Sequence, residues 1–256
     1  MRLNCYKTVL VVTALILFAC QSKNNSKTKE IAPSFSITTT IKNNKNLNSY
    51  GLDISKYQGN EIILLDKKSD SISFVICKAT EGITYTDPKF SENWSMILKK
   101  GFIRGAYHFY RSDDNPKDQA SNYLSAISEL QNTDFPPIVD FEEGGIHKNQ
   151  SVEKIQATLL LFLKELETKL NRKPIIYTDV NTGNKYLNKV EFSDYPLWIA
   201  NYTKGKQPNQ PKTWKSKKWF LWQKSANYKI ENTINDFDVF NGSVKELQDF
   251  IKTTKI

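Results

Sequence analysis

The segment "PPIVDFEEGGIHKNQSVEKIQATLLLFLKELETKLNRKPIIYTD", residues 136–179, places two short apolar runs on either side of a long periodic stretch. After Ser151, an apolar series that begins with Val152, Ile155 and Leu159 recurs every three or four residues, which predicts one amphipathic helix. The flanking runs are too short for helices and predict buried strands. A strand, a helix and a second strand in this order indicate a parallel β-α-β unit.

The same alternation extends over the chain from about residue 50 onward. Eight short apolar runs predict strands at residues 51–55, 73–80, 102–110, 136–142, 174–179, 196–202, 218–225 and 234–240. Asp87 and Asn115, each followed by proline, predict helix N-caps, and "SVKE" from Ser243 to Glu246 predicts a capping box. We therefore expect an α/β fold, an irregular TIM-like barrel of about eight strands with fewer helices in the C-terminal third.

Polar and aromatic residues follow nearly every predicted strand. They are Asp53, Ser55, Tyr57, Gln58, Lys78, Glu81, Tyr107, His108, Tyr110, Asp140, Glu142, Tyr177, Asp179, Trp198, Asn201, Tyr202, Trp222, Gln223 and Asp236. In a parallel barrel these strand ends meet at one face, where active sites lie. A carboxylate at a strand end is often only a cap or a solvated loop residue, and an aromatic is often core. The coincidence at so many strand ends favours a site, although His108 is equally consistent with a hydrogen-bonded core histidine.

The pair Asp140 and Glu142 indicates the chemistry of such a site. Residues two apart in a strand point to the same side, about 7 Å apart, while Phe141 points the other way. Repulsion between the two carboxylates, with partial desolvation, should raise one pKa, as protonation of a glycosidic oxygen requires. Asp53 and Asp236 would join this pair if the first and last strands of the barrel meet.

Eight segments together resemble glycoside hydrolase family 25, the Chalaropsis-type lysozymes, in order and across nearly all of residues 50–242. They are "GLDISKYQG", "FVICKATEGITYTDPKF", "GAYHFYR", "PPIVDFEE", "IIYT", "PLWIANY", "LWQKS" and "DFDVFNG". The resemblance implies an irregular barrel that cleaves the β-1,4 bond between N-acetylmuramic acid and N-acetylglucosamine of peptidoglycan. Asp238 departs from the family, which more often has asparagine there.

The resemblance also implies roles for single residues. The catalytic positions would be Asp53, Asp140, Asp236 and Glu142, the last as proton donor. The substrate-binding positions would be Tyr107, Tyr177, Trp198 and Gln223, to which the strand-end pattern adds Tyr57, Glu81 and Tyr202. The alternative is a lipid-tethered barrel that binds wall glycan without cutting it, but such a module would not need all four acids.

Two catalytic routes stay open. The short spacing of Asp140 and Glu142 resembles that of hydrolases in which the 2-acetamido group of the substrate attacks the anomeric carbon. In that route Asp140 would orient the acetamido nitrogen. In the other route Asp53 or Asp236 would attack the sugar directly.

The N-terminus has the anatomy of a bacterial lipoprotein signal. Arg2 and Lys7 precede an uncharged apolar stretch, and "LFAC" ends in Cys20, so we expect a signal at residues 1–19 and lipidation of Cys20. Phe18 is bulky for such a site, which leaves cleavage by an ordinary signal peptidase, or retention as an anchor, as alternatives.

The next segment, residues 20–49, is rich in Ser, Thr, Asn and Lys and predicts a flexible tether, followed by the barrel at residues 50–256. We therefore expect an exported protein, anchored through Cys20 to a bacterial membrane, in the periplasm or at the cell surface. Its partner would be peptidoglycan, with the domain acting as a monomer.

Charge and cysteine content exclude several classes of site. The net charge of +9 and the lysines of "KTWKSKKWFLWQK", residues 212–224, suit either steering toward an anionic wall polymer or a solvated face. Without a nucleic-acid motif, we expect no nucleic-acid partner. Beyond Cys5 and Cys20 only Cys77 remains, so we predict no disulfide framework, no metal site and no cofactor.

Overall fold

The computed structural model describes residues 48–58, 62, 64–67, 71–230 and 233–254. The predicted signal at residues 1–19, the lipidation site Cys20 and residues 20–47 of the predicted tether lie outside the described residues.

Nine strands form one sheet. They are β1 (Ser49–Ile54), β2 (Ile72–Glu81), β3 (Tyr85–Thr86), β4 (Ile103–Phe109), β5 (Ile138–Asp140), β6 (Ile175–Asp179), β7 (Leu197–Ala200), β8 (Leu221–Ile230) and β9 (Thr233–Phe240). The order β1-β9-β8-β7-β6-β5-β4-β2 closes through a β1–β2 pairing, while β3 is added outside it as a short antiparallel partner of β2. The predicted barrel of eight strands is confirmed.

Strand direction is where the barrel becomes irregular. Neighbouring barrel strands are parallel except for β9, which runs antiparallel to both β1 and β8. The β8–β9 connection is therefore a hairpin and holds no helix. Because β9 runs backward, the start of this strand lies at the barrel face where the parallel strands end.

Five helices accompany the strands. They are α1 (Phe90–Lys99), α2 (Pro116–Ala126), α3 (Val152–Leu170), α4 (Val180–Tyr186) and α5 (Val244–Thr253). Asn115 and Ser151 cap α2 and α3 through their side chains, and Ser243 with Glu246 forms the expected capping box of α5. The predicted cap at Asp87 is wrong, because α1 begins three residues later and Asp87 instead accepts from the backbone N–H groups of Lys56 and Lys89.

Helices are scarce after α3, as predicted. The helix α4 has seven residues, and the segments Val190–Asp194 and Lys212–Trp214 form only 3-10 turns. In the described part of the chain, no helix combines the length and apolar character that crossing a bilayer requires.

The core has two parts, and successive side chains of β2 point alternately into one part and the other. Phe74 and Ile76 belong to the apolar cluster that also contains Trp198, whereas Val75 and Cys77 belong to the cluster formed with the helices. Each large apolar side chain buried in this way contributes about 1.5–3 kcal/mol. Both faces of the sheet are thus covered, which explains why the strands read as continuous apolar runs.

Candidate active site

A cleft of about 320 Å³ opens at the carboxyl ends of the parallel strands. It is lined by Asp53, Ser55, Tyr57, Gln58, Lys78, Tyr107, Phe109, Asp140, Glu142, Tyr177, Trp198, Tyr202, Gln223 and Asp236. All four carboxylates that the sequence predicts as catalytic therefore face one cavity. Among the seven side chains predicted to bind substrate, Glu81 alone lies outside the lining.

Asp140 and Glu142 reach the cleft because the chain stays extended past the end of β5. Glu142 has φ −139° and ψ 168°, so it continues the strand alternation by one more step. Phe141, between them, is buried in the outer core against the rings of Tyr110 and Tyr186, at 6.1 and 6.2 Å between centroids. Burial of Phe141 thus fixes both carboxylates on the cleft side.

Asp53 and Asp236 meet because β1 and β9 close the barrel. The two residues are directly paired across the antiparallel β1–β9 ladder. Opposed carboxylates on one face of a sheet repel each other, which is unfavourable for folding. The close approach of Asp53 and Asp236 therefore does not stabilise the barrel, but it places both carboxylates at the cleft.

Gln223 links the floor of the cleft to its aromatic wall. Its Nε2 donates to Asp53 Oδ2 at 2.7 Å, and its Oε1 accepts from the hydroxyls of Tyr177 at 3.0 Å and Tyr202 at 2.7 Å. Every one of these polar atoms is therefore held in place before any ligand binds.

Asp238 is the member of this network whose part the sequence reasoning missed. It is fully buried, its Oδ1 accepts from Trp198 Nε1 at 2.8 Å, and its Oδ2 has no hydrogen-bond partner among the described residues. Burial and the neighbouring Asp53 carboxyl group raise the pKa of Asp238, so the protonated form of Asp238 is favoured. The signal was present in the sequence, since Asp238 lies two residues after Asp236 and so shares its face of β9.

Burial raises the pKa of the acids on the cleft floor. The pKa of Asp53 rises to about 8, because the group is desolvated and faces Asp236. Desolvation likewise raises the pKa of Asp140 and of Asp238 well above the usual range, with Glu142 adding to the effect on Asp140 and Asp53 to that on Asp238. Asp53 therefore retains its proton at neutral pH.

Glu142 differs from these floor acids in its exposure. It is only partly buried, and among the described residues its carboxylate makes no hydrogen bond and no ion pair. Desolvation and the nearby Asp179 raise its pKa, while Lys78 and Arg111 oppose the rise. Glu142 is therefore a carboxyl group with a raised pKa that is free to contact a ligand.

Glu81 lies in a neighbouring cavity and not in the cleft. Its carboxylate accepts from Lys78 Nζ at 2.6 Å and from the guanidinium of Arg111. Burial raises the pKa of Glu81, but these two cations outweigh burial and lower it. Glu81, which was predicted to contact substrate, is thus held in ion pairs outside the cleft, and the register of β2 against β4 shifts just before it, between Lys78 and Thr80.

Three other strand-end residues have structural roles. His108 is buried between Thr80 Oγ1 and Gln119 Oε1, at 2.8 and 3.2 Å, and burial lowers its pKa to about 4, so it is a core histidine. Asp179 caps α4, and Trp222 is buried with its indole N–H bonded to a backbone carbonyl.

In the lysine-rich segment at residues 212–224, the charged and the aromatic side chains point to different surroundings. Trp214 and Trp219 are buried, whereas the lysines between them are exposed. Its tryptophans therefore belong to the core and offer no platform for a sugar.

The described residues hold no group of three or more His, Cys, Asp or Glu side chains arranged to bind a metal ion. The carboxylates of the cleft belong to a different kind of site, one that combines acids with aromatic side chains as carbohydrate-cleaving enzymes do.

Comparisons with known proteins agree with this geometry. Residues 52–233 match the sequence model of glycosyl hydrolases family 25. YegX of Escherichia coli K12, named as uncharacterized, is 32% identical over 212 residues, which cover 80% of this chain and 74% of YegX. Lysozyme M1 of Streptomyces globisporus is 28% identical over 207 residues, 77% of this chain and 69% of its own.

Similar solved structures support the same assignment. The crystal structure of the bacterial lysozyme from Streptomyces coelicolor superposes with a TM-score of 0.72 at 27% identity, over 81% of this chain and 99% of that one. The matched segment spans the barrel from β1 to the start of β9 and contains three of the four cleft acids, all but Asp236. The chain therefore belongs to glycosyl hydrolases family 25.

Proposed function

We propose that this glycoside hydrolase is a lysozyme, which cleaves the β-1,4 bond between N-acetylmuramic acid and N-acetylglucosamine of peptidoglycan. The observation that carries the proposal is the convergence of Asp53, Asp140, Glu142 and Asp236 on one cleft with an aromatic lining. The names of its relatives support the choice of substrate, since Lysozyme M1 and the Streptomyces coelicolor structure are both called lysozymes.

In this proposal Glu142 donates the proton to the leaving glycosidic oxygen. A general acid must hold its proton near neutral pH and must reach the substrate. Glu142 suits this role, because its pKa is raised toward neutral pH and no described residue occupies its carboxylate.

The acetamido group of the substrate is the nucleophile that suits this cleft best. Its carbonyl oxygen would attack the anomeric carbon as the glycosidic bond breaks, and water would then open the resulting ring. Asp140 Oδ1 is buried without a hydrogen-bond partner, so an acetamido N–H would satisfy it. Asp53 is a poor alternative nucleophile, because its carboxyl accepts a hydrogen bond from Gln223 and its pKa is raised to about 8.

Asp236 would have an electrostatic role. Burial raises its pKa only to about 6, so it is mostly ionised at neutral pH. A carboxylate next to the anomeric centre stabilises the positive charge that develops on the sugar in the transition state.

The aromatic residues would bind the sugar rings. Tyr57 and Tyr202 are 81% and 61% exposed at the rim, and the rings of Tyr177 and Trp198 pack edge to face at 4.7 Å on the floor. Exposed rings beside fixed polar groups suit a carbohydrate, which presents both apolar faces and hydroxyls.

The test compares two adjacent glutamates. Glu142→Gln removes the proposed acid, whereas Glu143→Gln changes an exposed neighbour that pairs with Lys185 at 3.7 Å. We expect Glu142→Gln to release soluble fragments from purified peptidoglycan at least about 100-fold more slowly, as loss of a general acid predicts. Glu143→Gln should match the wild type. Equal activity of wild type and Glu142→Gln would contradict the assignment.

We also propose that the chain is exported and lipid-anchored through Cys20. The support is the sequence pattern of residues 1–20, a basic start, an apolar stretch and the "LFAC" ending.

A further inference from the structure

A second cavity, of about 490 Å³, lies beside the cleft. We call it the side cavity. Its walls come from the turn Lys56–Gln58, from the turn that joins β2 to β3, and from the segment after β4 that contains Arg111. Tyr57 and Lys78 line both cavities, so the side cavity adjoins the cleft.

The walls of the side cavity are fixed by contacts within the protein. Glu81 bridges Lys78 and Arg111, and Arg111 Nη1 also donates to the carbonyl of Gly144 at 2.8 Å. Asn122 Nδ2 holds the opposite turn through the carbonyls of Gly82 and Tyr85, at 2.9 and 3.2 Å. A ligand would therefore not have to order these walls, which lowers the free-energy cost of binding.

Lys56 and Asp114, two charged residues of the side-cavity lining, form no ion pair among the described residues. The ammonium of Lys56 lies 5.2 Å from the centroid of the Tyr57 ring and 5.4 Å from that of Tyr85, and among the described residues no carboxylate is within ion-pair distance of it. Asp114, which is only partly buried, has no ion pair among the described residues either. The third such residue, Asp87, is buried and accepts from the backbone N–H groups of Lys56 and Lys89, so Lys56 and Asp114 are the cation and the anion that a ligand could reach.

These charges distinguish the side cavity from the cleft. A glycan strand is neutral, and its sugar rings suit the aromatic lining of the cleft. The peptide stems carried by the muramic acid residues have free carboxylates and, in many stems, a free ammonium group. Only the stem has charges that complement both Lys56 and Asp114.

We propose that the side cavity binds the peptide stem of peptidoglycan, with a stem carboxylate at Lys56 and a stem ammonium at Asp114. This inference rests on the proposed function, and it makes the enzyme selective for glycans that still carry their stems. Because Tyr57 and Lys78 line both cavities, the stem of a sugar bound in the cleft would lie next to the side cavity.

The experiment uses the full chain and two forms of one substrate, glycan strands with their stems and the same strands after an amidase has removed the stems and the freed lactyl carboxylates have been converted to amides. Lys56→Ala removes the proposed cation, and Lys117→Ala removes an exposed lysine on α2 as a control for overall charge. We expect kcat/KM of Lys56→Ala to fall about fivefold on stem-bearing strands, the effect of one partly exposed ion pair. On stem-free strands Lys56→Ala should equal the wild type, and Lys117→Ala should equal it on both.

A fall that is equal on both substrates would overturn the inference, because Lys56 would then act on the glycan itself. Equal kcat/KM of wild type and Lys56→Ala on stem-bearing strands would overturn it as well. A wild type that cleaves neither substrate would instead defeat the proposed function. Calorimetric binding of a free stem peptide to the Glu142→Gln variant then tests the inference separately. We expect the peptide to bind more weakly when Lys56→Ala is added to this variant. Unchanged binding would overturn the inference.

Discussion

At the scale of single residues, the surroundings of each acid, rather than its residue type, determine its exposure and its pKa. Glu142 and Glu143 are neighbours in sequence, yet Glu142 faces the cleft with a raised pKa and Glu143 is exposed beside Lys185. The sequence alone could predict this difference, because strand alternation sends Glu142 inward. It could not predict that Asp53 raises the pKa of Asp238, because the approach of these two residues depends on how β1 and β9 pair.

Two substitutions of Asp238 test whether this residue acts as a protonated hydrogen-bond donor or as a charged carboxylate. Asparagine keeps a donor toward Asp53, while leucine of similar volume removes it and leaves the indole N–H of Trp198 unpaired. We expect Asp238→Asn to retain kcat/KM within about threefold and Asp238→Leu to lose about tenfold or more, since an unpaired buried group costs about 1–3 kcal/mol. If asparagine proves as damaging as leucine, the ionised form of Asp238 is the one that matters.

Asp53 gives the barrel a pH-dependent stability. Its pKa rises from 3.8 to about 8 on folding, so between these values the folded state binds more protons than the unfolded state. The free energy of unfolding should therefore fall as the pH rises from about 4 to about 8. Thermal unfolding of wild type and Asp53→Asn at pH 5 and pH 8 measures this. Asparagine should raise Tm relative to wild type at pH 8 and not at pH 5, and the same difference at both pH values would refute the explanation.

At the scale of elements, the apolar runs predicted all eight barrel strands, and the cap residues predicted the starts of α2, α3 and α5. The local sequence pattern did not predict the features that depend on contacts between distant parts of the chain. The strand β3 has two residues, too few for any periodicity, and the direction of β9 follows from its hairpin with β8. Asp87 resembled a cap but bonds to the backbone of Lys56, 31 residues away.

The helix α5, which is remote from the cleft, allows a prediction about how one element contributes to stability. Its residues Leu247 and Ile251 pack with Leu221 and Phe240, which lie at the barrel end opposite the cleft. Ser243→Ala removes the side-chain oxygen that caps this helix. We expect a loss of about 1 kcal/mol in the free energy of unfolding, measured in urea, with unchanged kcat/KM. An unaltered urea midpoint would show that the capping box does not stabilise α5.

At the scale of the whole molecule, the proposed arrangement is a catalytic barrel held near its insoluble substrate by a lipid at Cys20. Lipid attachment at this cysteine predicts that Cys20→Ser prevents incorporation of radiolabelled palmitate and releases the protein from the membrane fraction. The wild type should incorporate the label and sediment with membranes. Membrane association that survives Cys20→Ser would favour a retained apolar anchor over lipidation.

The central claim is that Glu142 protonates a muramic acid glycosidic bond, and the ends of the product chains test it most directly. Purified peptidoglycan is digested with the full chain, the products are reduced with borohydride, and the reduced sugar is identified by mass spectrometry. We predict reduced muramic acid at the new ends, and none with Glu142→Gln. Reduced glucosamine at those ends, or muramic acid ends produced equally by Glu142→Gln, would contradict it.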